Sequence, residues 1–420
     1  MVKKRDKVAT PVAAKSKSSF SGIKIPYLWG HALMILFLYA CCTWLYGDVF
    51  QRAQQECYVS ADAERMVFVL RQPFGEFYWL MRYAMLVFKN VWVGGLVLTI
   101  LLVGSACCLS RILGLSRRWK LLTFLLPLAT LSYLIWRGLR IYFLDEPSLV
   151  IGIPAVVFVF TALGACIASV VRKRVGSSQV SHKHSHWFPV VTMVVACATL
   201  VSFTRLYREN DVACARMQNL MWKADWESMA DEALSVSRGT RVTAAYYAVA
   251  LVQQEQLLEH IFDFAFDYPQ DGINLADKGQ TEAGLYEADC NFYAGLVNIA
   301  YRSAMERHVM AGPSISNYKR LALCSIINGE MNLAKRYMKA LEEVPFESDF
   351  VDRYGPMIDN PKLIVEDPEL VKVLHLAPRE TTYEQNFRRP VFLGYNVGLS
   401  YGSDQTLITS IAATLYSKDL

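Results

Sequence analysis

Five uninterrupted apolar stretches constrain this chain more than any other feature: Tyr27–Tyr46, Val91–Leu109, Leu121–Trp136, Ser148–Val171 and Trp187–Phe203. Each is close to the roughly 20 residues that a helix needs to cross hydrocarbon. Only a helix or a closed barrel satisfies its own backbone polar groups in lipid. The third stretch is the shortest, but Lys120 and Arg137 flank it and can extend outward to the interface. One such stretch alone is compatible with a buried core helix. Five in the first half of one chain predict a polytopic membrane module over 27–204, preceded by a basic tail at 1–26.

Charge separates this module from the second half of the chain. Residues 1–204 hold 22 Lys and Arg against 8 Asp and Glu, whereas residues 205–420 hold 21 against 30. A basic apolar half joined to an acidic amphipathic half predicts a membrane part followed by an aqueous one. The acidic half lacks the basic face that a nucleic-acid partner requires. Lys and Arg crowd the N-terminal tail and the turns after the second and fourth stretches, for example Arg111, Arg117, Arg118, Arg172, Lys173 and Arg174. Basic loops stay cytoplasmic. Five spans therefore predict a cytoplasmic N-terminus and a C-terminal domain on the far side, which in a bacterium is the periplasm. Between the first two spans, Phe74, Phe77, Tyr78, Trp79, Tyr83 and Phe88 mix with Arg71, Arg82 and Lys89. That mixture fits either a helix at headgroup level or an N-terminal extension of the second span.

From Arg205 the pattern becomes helical periodicity broken by polar turns. Helices are expected over Asn210–Trp222, Trp226–Val236, Val242–Ile261, Glu282–Met310, Ile315–Asn328 and Met331–Glu343. Gly329-Glu330-Met331-Asn332-Leu333-Ala334 has the form of a tetratricopeptide turn, with Ala334 small enough for close helix packing and Glu330 at a helix N-terminus. Ala224-Asp225-Trp226-Glu227-Ser228-Met229 is a looser instance, with Met229 in the alanine position. The fold expected is all-α: about five spans followed by a tetratricopeptide-like α-solenoid over 205–420. An irregular helical domain is the plainer alternative. Ile408–Tyr416 reads as the first helix of a pair, so the repeat domain is expected to continue past Leu420.

Three stretches carry a family resemblance: Gln72-Pro73-Phe74-Gly75-Glu76-Phe77, Ile326–Tyr337 and Ala412–Leu420. With the order of modules, they make the chain resemble an uncharacterised family of multi-pass membrane proteins of Bacteroidota with C-terminal helical repeats. The resemblance implies a bacterial inner-membrane location and supplies no activity.

No chemical signature stands out. There is no glycine-rich phosphate loop, no H-E-x-x-H and no Gly-x-Ser-x-Gly. His182, His184 and His186 alternate in a polar loop, where a metal site competes with simple solvation. His260, Asp263 and Asp267 share one helix face, as do Glu282 and Asp289 with Glu287 nearby, but a solvated face has the same spacing. The ten cysteines have no Cys-x-x-Cys spacing. Cys290 and Cys324 would lie in an oxidising compartment, as a disulfide or as buried thiols.

The function expected is that of a membrane-anchored interaction protein, with no catalytic residue, cofactor or metal assigned. Its partners would be membrane lipid and a protein or peptide. Trp222, Trp226, Tyr246 and Tyr247 are candidate partner contacts, although aromatics at helical spacing more often form core. An envelope-polymer or lipid-linked-substrate transferase and a transporter subunit are the alternatives.

Overall fold

A computed structural model describes residues 27–116, 119–138, 146–175, 187–265, 283–377 and 404–416, and among these every regular element is helical. Helix α1 (Tyr27–Ala40) runs into a π-turn at Cys41–Leu45 and then into α2 (Gly47–Gln55). The two straight parts meet at 55°. The cause is local. Thr43 Oγ1 donates back to Tyr39 O at 2.7 Å, and π-turns and hydroxyl back-bonds both bend helices.

A short α3 (Val67–Leu70) and α4 (Gly75–Met85) come next, then α5 (Val91–Leu113). The Phe74–Phe88 region is thus a separate helix and not an extension of the second span. Asn90 is extended, and its side chain accepts from the amides of Trp92 and Val93, starting α5 afresh. Beyond it lie α6 (Leu125–Gly138), entered through a 3-10 turn at Trp119–Phe124, then α7 (Leu149–Val175) and α8 (Phe188–Tyr207).

Among the described residues four helices are long and apolar enough to cross a membrane, at Val91–Leu113, Trp119–Gly138, Leu149–Arg172 and Phe188–Tyr207; the bent pair Trp29–Leu45 and Gly47–Gln55 makes a fifth candidate. They fall on the five apolar stretches of the sequence. Their outward faces expose Leu96, Ile100, Phe160, Ile167, Val194 and Val195. Small residues let the helices approach: a Cβ on Gly95 would lie 2.3 Å from Thr43, and one on Gly104 would lie 2.6 Å from Phe158. Helix ends are also paired. Arg172 donates to the carbonyls of Arg111 and Ile112 at 2.6 and 2.8 Å, joining the C-termini of α7 and α5. At the opposite end, the Tyr46 and Thr204 hydroxyls are 2.6 Å apart.

The second half builds from α9 (Glu209–Trp222), α10 (Trp226–Leu234), α11 (Arg241–Gln254), α12 (Leu257–His260), α13 (Ala283–Tyr293), α14 (Val297–Ala311), α15 (Ile315–Ile327) and α16 (Met331–Glu342). Shorter helices α17 (Ser348–Tyr354), α18 (Pro356–Asp359) and α19 (Leu370–Leu376) succeed them, and α20 (Asp404–Tyr416) ends the described chain. The long helix expected over Glu282–Met310 is broken at Gly295. Successive helices pack on one another from α9 to α11 and from α13 to α16, α9 also packs on α2 and α12 on α20, and α9, α11, α13 and α15 touch in series.

One turn recurs. Helices α9, α11, α13 and α15 each end with a positive-φ residue, namely Ala224, Glu255, Gly295 and Gly329, at spacings of 31, 40 and 34 residues. In each, the next amide reaches back to close the helix: Asp225 to Leu220 O, Gln256 to Leu251 O, Leu296 to Asn291 O and Glu330 to Ser325 O, at 2.8–3.0 Å. This is the Schellman closure, which satisfies end carbonyls and reverses the chain. Asp225 then caps α10 by accepting from the Ser228 amide at 3.2 Å. Ala334 is fully buried beneath the last turn, and Met229 is fully buried in the corresponding place beneath the first.

These turns give a graded prediction. A Cβ on Gly329 meets no atom within 4 Å, so Gly329→Ala carries only the left-handed backbone penalty, about 1 kcal/mol. A Cβ on Gly295 would sit 2.5 Å from the Leu376 backbone, so Gly295→Ala must displace α19 as well. Thermal unfolding in detergent should show a clearly larger loss for Gly295→Ala; equal losses would contradict the tight packing.

Candidate functional site

Helix α2 and the residues that follow it join the two halves. Val49, Phe50, Ala53 and Cys57 repeat at helical spacing and are fully buried against the long apolar helices. Tyr58, Val59, Met66 and Val69 are fully buried in the other core, with α9 to α19. Glu56 and Ser60 are polar and buried among them, so each needs a partner.

The partners come from distant chain. Glu56 pairs with Arg307 of α14 and accepts from Ser316 Oγ of α15 at 2.8 Å, all three side chains being buried. Asp48 accepts from Asn219 Nδ2 at 2.8 Å. Lys319 lies 2.6 Å from Glu347, and Lys89, at the foot of α5, reaches the same oxygen at 3.0 Å. Ser60 and Arg65 both hold Glu343, at 2.8 and 2.9 Å. Arg82 of α4 grips Glu146, just before α7, with two parallel bonds of 2.8 Å and donates to Tyr58 O at 3.3 Å. Two-pronged Arg–carboxylate pairs fix geometry as well as charge.

A second buried charge sits inside the helical array. Arg320 is fully buried and its Nε donates to Asp289 at 2.7 Å. Its guanidinium carbon lies 4.1 Å from the Phe292 ring centre, 4.8 Å from Trp222 and 4.9 Å from Tyr293. Aromatic faces take the place of hydrogen-bond acceptors around the rest of the cation.

Electrostatics mark these groups as structural. Burial alone would raise the Glu347 carboxyl, but Lys319 and Lys89 outweigh it and hold it below the ordinary carboxylate value. Burial pushes His308 below the usual imidazole value. Both shifts have the same consequence. The unfolded chain binds the extra protons, so stability present above the unfolded values is lost as pH falls. The His308 contribution declines below about 6.5, and the Glu347 contribution declines below about 4.3. Unfolding temperature measured from neutral to acid pH should fall in both windows, and His308→Gln should flatten the upper one. Burial pushes the Cys324 thiol up to about 12 and raises Cys57 and Cys290 well above the usual value. Such thiols stay protonated and unreactive.

Of the residues singled out in the sequence, Tyr246 and Tyr247 are enclosed in the core, and Trp222 and Trp226 are half-buried against it. Cys290 and Cys324 are buried free thiols. His260 pairs with Asp263 at 2.8 Å on the exposed surface. Asp289 turns inward to Arg320. His182, His184, His186, Asp267 and Glu282 lie outside the described residues. Among the described residues no three His, Cys, Asp or Glu side chains are placed to hold a metal. The seam through Glu56, Arg307, Lys319 and Glu347 was not singled out in the sequence. Its one signal was the helical spacing of Val49, Phe50, Ala53 and Cys57 within a segment otherwise rich in charge.

A model of a protein family of unknown function, DUF6057, matches residues 138–420. No curated protein and no solved structure gave a match. The matched region takes in α7, α8 and the whole helical array, and most of the seam's partners for the 48–89 segment lie within it. With well over half its length matched, the chain belongs to this family, DUF6057.

Proposed function

We propose that this protein is a membrane-anchored scaffold that presents a tetratricopeptide-like α-solenoid on the non-cytoplasmic face of a bacterial inner membrane. The observation that carries the reading is the series of four Schellman-closed helices at near-regular spacing, joined by the buried Glu56–Arg307 pair to the segment that leads from the first apolar helix to the others. Stacked helical pairs create extended surfaces suited to binding a protein or peptide. The chain's own 47–60 stretch covers part of the array, with Glu56 and Gln55 held by α14 and α15. The partner is therefore assigned to the outward side of α10, where Glu227 and Asp231 are exposed. Those acids, and the acidic balance of the second half, favour a basic partner.

A topology reporter fused after Phe203 should be active only outside the cytoplasm. Crosslinked membranes should yield a basic partner whose recovery falls with salt and with the Glu227→Lys, Asp231→Lys double variant. A cytoplasmic reporter would overturn the orientation. Recovery insensitive to both salt and the double variant would overturn the assigned surface.

A further inference from the structure

Two turns, one from each half of the chain, share an unusual form. Gln72-Pro73-Phe74-Gly75 is closed by the Gly75 amide to Gln72 O at 3.0 Å, and Val344-Pro345-Phe346-Glu347 by the Glu347 amide to Val344 O at 3.4 Å. Phe74 and Phe346 occupy the third position with φ of 65° and 69°. Proline second and positive φ third is the type II arrangement, in which glycine or asparagine normally takes the third place. A bulky aromatic there is strained, and strain of this kind persists where something else depends on it. Neither ring is packed within the chain: Phe74 is 79% exposed and Phe346 is 67% exposed.

Both turns lie beside the same end of the apolar helices. Phe74 directly precedes α4, which crosses the first turns of α7. Phe77 and Met81 of α4 both press on Gly152, and Arg82 holds Glu146. Phe346 adjoins Glu347, whose carboxylate meets Lys89 two residues before α5 begins. Just beyond, Trp92 and Val93 are exposed on the span itself. Arg71 and Glu76 are exposed around Phe74. Aromatics beside charges at the end of a span are suited to the boundary between headgroups and acyl chains.

We propose that the two Pro-Phe turns form a lipid-contact surface, with Phe74 and Phe346 entering the headgroup–acyl boundary beneath the helical array. The array is then held to the bilayer by its own phenylalanine as well as by the spans. This rests on the membrane-spanning reading of the five apolar helices.

The test places a nitroxide label on the full chain in phospholipid nanodiscs, at Phe74→Cys, Phe346→Cys, Phe160→Cys or Val365→Cys. The partly exposed Cys107, Cys108, Cys166 and Cys197 are first changed to Ala. Collision with oxygen, relative to a water-soluble nickel chelate, should be severalfold higher at 74 and 346 than at Val365, which is exposed on the array. Phe160, on the outward face of α7, reports the spans themselves. A high ratio at 160 with a 365-like ratio at 346 would overturn the lipid contact alone; a low ratio at 160 would overturn the membrane reading. Protection of 346 from both reagents would mean a protein covers it, and would also overturn the lipid contact. Phe346→Gly, which relieves the backbone strain, gives an independent check. Hydrogen exchange across 344–350 in nanodiscs should rise relative to the parent chain, whereas unchanged exchange would count against the proposal.

Discussion

Glu56→Ala is expected to destabilise the folded chain by about 3–5 kcal/mol, because it leaves the Arg307 guanidinium buried without its counter-charge. Arg307 and Glu56 are both almost wholly enclosed, and Ser316 loses its acceptor in the same step. An exposed pair would respond very differently. Arg302→Ala, which breaks the open Arg302–Glu306 pair of α14, should cost less than about 1 kcal/mol. The double replacement Glu56→Leu with Arg307→Met removes both charges together and should recover much of the loss, since apolar substitutes for a whole buried pair are often tolerated. Chemical unfolding in detergent, monitored by tryptophan fluorescence, compares the four proteins. A single variant no worse than the double would mean that water reaches this pair.

Arg320→Ala is expected to be equally damaging, again about 3–5 kcal/mol, through a different mixture of causes. It strands Asp289 in the interior and opens a cavity among Trp222, Phe292 and Tyr293. Arg320→Lys separates the two effects. The charge remains, but an ammonium does not stack as a flat guanidinium does, so about 2 kcal/mol should still be lost. Trp222 emission should shift in both variants. Wild-type stability in the lysine variant would show that charge alone matters here.

Much of the architecture was legible because two simple periods carry it. Hydrocarbon-length apolar runs coincide with four helices long enough to span a membrane and with the first arm of the bent pair, and the helical period marked most of α9 to α16. The turn at Gly329 was visible because glycine signals positive φ. The turn at Glu255 was not, since a glutamate in the left-handed region carries no such signal. Gly295 lay within an otherwise unbroken helical pattern. The short helices α17 to α19 are too brief for periodicity to show.

The seam was hidden for a different reason. Glu56, Arg307, Lys319 and Glu347 are the residue types that usually face water. They are buried because other charges neutralise them: Glu56 and Arg307 are 251 residues apart in the chain, and Lys319 and Glu347, nearer each other in sequence, are tied to Gln55 and Lys89 of the first half. Local patterns carry no information about such pairing. The same mixture of aromatics and cations that suggested a headgroup helix at Phe74–Phe88 also contains Arg82, whose task is to hold Glu146 and the Tyr58 carbonyl. Tyr246 and Tyr247 met the commoner fate of aromatics at helical spacing and became core.

The Asp48–Ser60 stretch is an interior element shared by both halves, and not a loop between spans. Amide hydrogen exchange on the full chain in nanodiscs measures this directly. Amides of Val49–Gln55 should be protected to a degree comparable with Leu321–Ile326 in the centre of α15, and Glu56→Ala should release them before α15 itself. Exchange of that stretch within seconds, while α15 stays protected, would contradict the shared core.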